Sequence, residues 1–218
     1  MIKVEEIYVG NMEGALRGMR NPLESWNKSD SYYDKDGNYV VGEKDRGLAL
    51  KLIGAGSDHS KFLRQIFVSM DITAPMSWWW DFDTYKVATT KNSTSRMHKL
   101  GTRELTKEDF SWDDENGNLK LTSDRIDFLK KVNQKIKMVQ TSQQNGNNEE
   151  AKDLWREIYL DLPASYNFLA TWTGSYENLR NIYAARSNHK QREFREFCKI
   201  LETLPESDFI ITKRIHEK

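Results

Sequence analysis

The residues best suited to chemistry gather in one stretch, Ala74 to Leu100 (APMSWWWDFDTYKVATTKNSTSRMHKL). Three tryptophans stand beside Asp81 and Asp83, and a run of hydroxyl and amide side chains follows, closed by Arg96, His98 and Lys99. An apolar wall leading into cations and hydroxyls suits a pocket for a flat, anionic ligand such as a nucleotide. The same pattern also fits a buried aromatic helix followed by a polar loop. Lys86, Lys91, Arg96, His98 and Lys99 interleave with Thr89, Thr90, Asn92, Ser93, Thr94 and Ser95. Cations among hydroxyls bind phosphate oxygens through charge-assisted hydrogen bonds. A second cation group, Arg180, Asn181, Arg186 and His189, falls at the end of an expected helix. Asn181 and Arg186 lie about 140° apart around that helix, so they converge only through the arginine's reach.

Other chemistries are poorly served. The chain has no P-loop, no GxGxxG, no CxxC pair, no HExxH and no GxSxG. His59, His98, His189 and His216 are too scattered for a metal motif. Asp34, Asp36 and Asn38 alternate as in a calcium loop but lack its downstream glycine and glutamate, and Asp36-Gly37 reads as a hairpin tip. Cys198 is the single cysteine, which excludes an intrachain disulfide and a thiolate zinc site and fits a reducing cytosol. It falls on an apolar helix face, so a cysteine nucleophile is not expected. With 33 Lys+Arg against 33 Asp+Glu the formal charge is zero, and no global basic field favours duplex nucleic acid. The opening MIKVEEIYVG lacks signal-peptide order, and no run approaches the roughly 18 apolar residues of a membrane span. The expectation is a cytoplasmic protein forming one domain over residues 1–218, with no membrane partner.

The elements that must position these residues read as mixed α and β. Ile2–Val9 alternates as a strand with a slip at Glu5-Glu6, and Asn11 is placed to cap a helix ending before Asn21-Pro22. Arg46–Ile53 reads as a helix stopped by Gly54-Ala55-Gly56. Lys61–Ile72 reads as a strand, and Pro75–Thr84 as a helix begun by its proline. Thr102–Asn118 is acidic and reads as an exposed excursion. Ser123–Gln144 is amphipathic, with Ile126, Phe128, Leu129, Val132, Ile136 and Val139 on its buried face; with Glu149–Leu160 it predicts an antiparallel helical hairpin. Tyr166–Thr173 reads as a strand, Tyr176–Arg186 and Lys190–Leu201 as helices, and Phe209–Ile211 as a short apolar run.

In combined order and spacing, APMSWWWDFDTYKVATTKNSTSRM resembles the signature region of the flavin-dependent thymidylate synthases, which carry an RHRxxSxNExSxR-type motif after a strand and a helix. With Ala74-Pro75 set on the family's Ala-Pro, His59 falls on a flavin-contacting loop histidine. Thr89 and Thr94 take the two motif serines, and Arg96 the last arginine, which binds the substrate phosphate region. Leu162-Pro163 matches a family Leu-Pro step. Asn181 and Arg186 then fall on a flavin-contacting asparagine and a uracil-binding arginine. The departures are specific. Thr84-Tyr85-Lys86 stands for Arg-His-Arg, Asn92 for an acid, Asp81 for a substrate-contacting glutamine, and Tyr159 for a second substrate arginine; Ser175 and Glu177 replace an Asn and an Arg. Each lost charge-assisted bond weakens anion binding by on the order of 1–3 kcal/mol.

The resemblance implies an α+β fold with a small mixed or antiparallel sheet, a helical hairpin and C-terminal helices. It implies FAD as cofactor, with NADPH and methylenetetrahydrofolate as cosubstrates in C5 methylation of dUMP, and a homotetramer. Arg96, Thr94, Asp81 and Arg186 are then expected on substrate, with Arg186 the catalytic group. His59, Lys86, Thr84, Tyr85, Asn92 and Asn181 are expected on the flavin. The rewritten Arg-His-Arg supports the alternative of a diverged nucleotide-binding or nucleotide-modifying relative without thymidylate synthesis; a third reading is a small assembly protein whose polar loop is merely exposed.

Overall fold

The computed structural model describes residues 2–213, so His216 lies outside the described residues. Strand β1 (Lys3–Gly10) opens the chain, and the slip in its alternation coincides with Glu6 at φ 48°. Helix α1 (Met12–Arg20) follows. Asn11 precedes it in the left-handed region and does not cap it; its amide donates instead to the Gln65 carbonyl at 2.9 Å. A two-stranded hairpin, β2 (Tyr32–Tyr33) and β3 (Tyr39–Val40), pairs Tyr32 with Val40. At its tip Asp34 accepts the Asp36 and Asn38 N–H groups, which is what the alternating acids and amide do here. Helix α2 (Glu43–Ala55) stops at Gly56, whose φ of 114° only glycine adopts readily.

The next strand is shorter at its start than its sequence suggests. Lys61–Arg64 is a 3-10 turn, with Phe62 and Leu63 buried, and β4 runs Phe67–Pro75. The bulky apolar residues around position 62 serve a helical turn packed into the core, not a pleated face. Pro75 ends β4 with extended backbone and caps helix α3 (Met76–Phe82) from outside; it is not the first helical residue. The polar run after α3 is no loop: Thr90–Ser93 forms β5, and Arg96–Lys99 forms the short helix α4. Helices α5 (Ser123–Gln144) and α6 (Asn148–Asp161) make the expected hairpin. Lys135 pairs with Glu157 and Asp161, and Ser142 with Glu150, which sets the two helices antiparallel. Strand β6 (Asn167–Ser175) leads directly into α7 (Tyr176–Arg186), followed by α8 (Arg192–Leu201) and α9 (Asp208–Ile211).

The four-stranded sheet has the order β1-β4-β6-β5. Met76 donates its N–H to the Tyr166 carbonyl, and Tyr176 its N–H to the Ile66 carbonyl, so β4 and β6 are antiparallel. Each strand passes without a loop into a helix, and each helix begins on the carbonyl that precedes the other strand. Val68, Met70, Ile72 and Ala74 alternate onto the buried face of β4, as a half-buried strand requires.

The chain divides into two compact units. The hairpin unit holds Ile72–Thr84 and Asn92–Ala170. Its core joins Val132, Ile136 and Val139 of α5 to Ala151 and Ile158 of α6, and also to Leu105, Phe110 and Trp112. The supposed exposed excursion is therefore anchored: Glu104, Glu108 and Glu115 are exposed, while Asp109 pairs with Arg103 and the rings, Phe110 stacked on Trp112 at 4.4 Å, are core. Ile126, by contrast, is exposed. Of the three adjacent tryptophans, Trp78 and Trp79 are buried and Trp80 is 62% exposed, because a helix turns consecutive residues about 100° apart. The terminal unit holds Val4–Asp71, Tyr85–Lys91 and the chain from Thr171 onward. Leu179 and Ile182 of α7 and Phe194, Phe197, Cys198 and Leu201 of α8 are buried. Arg20 and Asp45, both buried, pair at 2.5 Å, with Ser29 and Ser31 hydroxyls also donating to Asp45.

Candidate functional site

In the hairpin unit, Arg96 opens α4, the first helical residue after Ser95, whose hydroxyl accepts the His98 N–H. Its guanidinium lies over the Tyr159 ring at 5.2 Å and the Phe168 ring at 5.8 Å, and Nη1 donates to the Met76 sulfur at 2.8 Å. Tyr159 stacks on Trp155, and Phe168 on Trp79, so the cation sits within a run of rings. No carboxylate pairs with Arg96 among the described residues. A guanidinium held by π faces and a thioether keeps most of its N–H groups for an anion. Thr94 lies two residues before it, its N–H and hydroxyl both turned to the Leu169 carbonyl, at 2.9 and 3.2 Å. Asp81 is half-buried at the end of α3, and its carbonyl accepts the Thr84 hydroxyl at 2.7 Å. Asn92 is exposed on β5.

In the terminal unit, Arg186 closes α7. Its Nε donates to the Tyr85 hydroxyl at 3.0 Å, and Nη1 meets His189 Nε2 at 2.7 Å. Arginine has only donors, so Nε2 is the acceptor. The guanidinium also stands over Phe194 at 4.8 Å and Tyr85 at 5.6 Å. Asn178 of the same helix fixes the segment that carries Tyr85. Its Oδ1 accepts from Ser175 in a capping box, and its Nδ2 donates to the Val87 carbonyl at 2.9 Å. Beside that carbonyl, Ala88 is held at φ 58° in the turn from Lys86 to Thr89, a costly conformation for a residue with a Cβ. Lys86 is exposed there and has no ion pair among the described residues.

Arg180 does not belong with these cations. It is 3% exposed and donates to the Phe209 and Ile210 carbonyls, so it fastens α9. Asn181 faces a different cavity, about 520 Å3, lined also by Ala184, Asn188 and Ile211. His59 is exposed and lines another, larger cavity of about 950 Å3. Leu48, Leu52 and Phe62 give that cavity apolar walls, and Lys28, Lys44 and Lys61 surround it without ion pairs among the described residues. Arg186 thus meets Tyr85 and His189, while His59 and Asn181 each line a cavity that does not include it. Phe168 and Phe194 as arginine platforms, and the three lysines around His59, carry no sequence signal: Phe168 is dozens of residues from Arg96, Phe194 looks like ordinary core, and Lys28 and Lys44 reach His59 only through the fold. Burial, aided by Glu202, pushes the Cys198 thiol up to about 12, consistent with a structural cysteine.

Solved structures are similar over nearly the full chain, among them the following three. Thymidylate synthase X from Helicobacter pylori, with FAD and dUMP, aligns at a TM-score of 0.64 and 16% identity over 99% of both chains. A second structure of the flavin-dependent enzyme from Helicobacter pylori, complexed with FAD and dUMP, gives 0.56 and 18% over 94% of this chain and 96% of that one. The UMP/dUMP methylase PolB from Streptomyces cacaoi, bound with 5-Br dUMP, gives 0.54 and 16% over 93% and 89%. The chain has a ThyX-like fold. No protein-family model and no curated protein sequence matches it. No described helix is long and apolar enough to cross a membrane.

Proposed function

We propose that this chain is a thymidylate-synthase-like nucleotide-modifying protein that binds a uracil deoxynucleotide, dUMP or a close relative, together with FAD. The observation that carries this reading is the pair of arginines, Arg96 and Arg186, each set against aromatic rings and neither matched by a carboxylate among the described residues. Arg96 anchors the nucleotide phosphate, with Thr94 and Asp81 as the further substrate contacts in this reading. Arg186 donates to a pyrimidine carbonyl and stabilises the negative charge that builds on the ring during reaction at C5, which an oriented donor does best. His59, with Lys28, Lys44 and Lys61 around it and Asp58 the one carboxylate among the described lining residues, forms an apolar-walled cavity with a net cationic rim, whose donor set fits a phosphate-bearing aromatic cofactor. Lys86, Thr84, Asn92, Tyr85 and Asn181 are the further flavin contacts in this reading. FAD would supply the hydride, with NADPH as reductant and methylenetetrahydrofolate as one-carbon donor. The protein acts in the cytoplasm as a single-domain chain within a homotetramer.

A visible spectrum of freshly purified protein tests this first. Flavin absorbance with dUMP-dependent NADPH oxidation supports the enzyme; colourless protein with no dUMP binding overturns it. A second reading, a diverged relative that binds the nucleotide without making thymidylate, is favoured by Thr84-Tyr85 in place of Arg-His and by Tyr159 in place of an arginine. Colourless protein that binds dUMP, and loses it in Arg96→Ala, selects this second reading.

A further inference from the structure

We infer that Tyr85 and His189 are positioning residues that preset Arg186 as a single-edge donor, an inference that rests on the nucleotide-binding reading above. Tyr85 takes the Nε hydrogen and His189 takes one on Nη1, leaving Nη2 without a partner among the described residues. The lateral Nε–Nη2 fork, one of the guanidinium's two bidentate edges, is therefore blocked at one tine. What remains is the terminal edge, Nη2 and the second Nη1 hydrogen, held in one direction toward an acceptor such as the carbonyl oxygen of a pyrimidine.

The box is itself braced. The His189 ring stands edge-on to Phe194 at 5.1 Å, and Arg195 donates to the His189 and Lys190 carbonyls at 2.7 Å each. Tyr85 sits on the segment that Asn178 pins through Val87. Helix α7 therefore supplies both the arginine and the amide that fixes the arginine's acceptor. An arginine side chain otherwise keeps several rotatable bonds, and holding it before the ligand arrives removes an ordering cost from binding. Tyrosine is what makes this possible: it brings a ring for the guanidinium to stack on and a hydroxyl beyond it, where lysine or arginine would repel the cation.

The test is hydrogen exchange at Arg186 Nε–H, followed by NMR in the ligand-free protein and assigned by the peak lost in Arg186→Gln. Wild type should exchange about tenfold more slowly than Tyr85→Phe, which keeps the ring and removes only the acceptor. His189→Leu should free Nη1 and disorder the same resonance. In Tyr85→Phe, dUMP affinity should fall about fivefold, while inorganic phosphate competes as well as it does in wild type. A wild-type Nε–H that exchanges as fast as in Tyr85→Phe overturns the inference. A protected Nε–H in a protein that binds no dUMP sustains the positioning role and overturns the nucleotide reading instead.

Discussion

Arg96 and Arg186 are both arginines on aromatic platforms, yet they are restrained by different forces. Arg96 is held by ring faces and a sulfur, interactions that tolerate rotation of the guanidinium in its own plane. Arg186 has one nitrogen bound to a hydroxyl and another to an imidazole, and hydrogen bonds weaken steeply off their axis. The units that carry them differ in the same sense. The hairpin unit is stabilised by stacked rings around Phe110 and Trp112, whereas the terminal unit buries the Arg20–Asp45 pair and Arg180 in hydrogen-bonded settings. A diffuse hold suits a charge anchor; a directional hold suits a donor that must be aimed.

The largest expected effects separate the two units. Asp45→Asn strands the buried Arg20 charge and should cost about 3–5 kcal/mol at neutral pH. Phe110→Ala should cost a similar ~3–5 kcal/mol in the hairpin unit through cavity formation. Their pH dependence should differ. Burial pushes the Asp45 carboxyl up, but the hydroxyls of Ser29 and Ser31 and the Arg20 guanidinium outweigh it and hold it below the usual carboxylate range. Its contribution is therefore present above the unfolded value, near 4, and is lost as pH falls through the lower folded value. Urea titrations from neutral pH downward should show the Asp45→Asn deficit shrinking below about pH 4 while the Phe110→Ala deficit stays. Parallel curves would mean that Asp45 is not ionised in the folded protein.

Next comes ligand binding. Arg96→Ala should weaken dUMP by about 1.5–3 kcal/mol, on the order of tenfold to a hundredfold by calorimetry. Arg186→Ala should abolish turnover with a far smaller loss of affinity, and neither variant should move the midpoint of thermal unfolding by more than about 2 °C. If Arg186→Ala turns over normally, its assigned role is wrong. If both lose affinity equally, the two arginines share one task.

A smaller effect probes the diffuse hold directly. Tyr159→Phe keeps the π face over Arg96 and should leave dUMP affinity within about twofold, whereas Tyr159→Leu should lose about 0.5–1 kcal/mol. A large loss in Tyr159→Phe would show that the hydroxyl, not the ring, matters. The smallest effect should be a gain: Ala88→Gly relieves the positive φ beside Tyr85 and should raise stability by about 0.5 kcal/mol in equilibrium unfolding.

Long periodic elements were legible from the residues. Ser123–Gln144 has both ends correct because Thr122 caps it and the QQNGNN run breaks it. Tyr176–Arg186 also matches, set by a serine cap and an inward Leu179 and Ile182. Short polar segments were not: Thr90–Ser93 carries no apolar alternation, and it becomes a strand only because β6 offers it a free edge. Likewise, Phe62 and Leu63 suit a strand or a helical turn equally, and packing against the core chose the turn.

Composition, the single buried-type cysteine and the order of Ala74–Arg96 and Trp172–Arg186 determined an α+β chain with two local cation groups. Those are properties of neighbours along the chain, and local spacing encodes them. Which cations remain available was decided by the tertiary structure alone. Arg180 and Arg186 are six residues apart on one helix and look alike in sequence, yet the first is spent on two carbonyls of α9 while the second stands between Tyr85, His189 and Phe194. His189 and Phe194 are close in sequence, but Tyr85 is about a hundred residues away and the α9 carbonyls about thirty, and no local pattern of charge or periodicity can specify those.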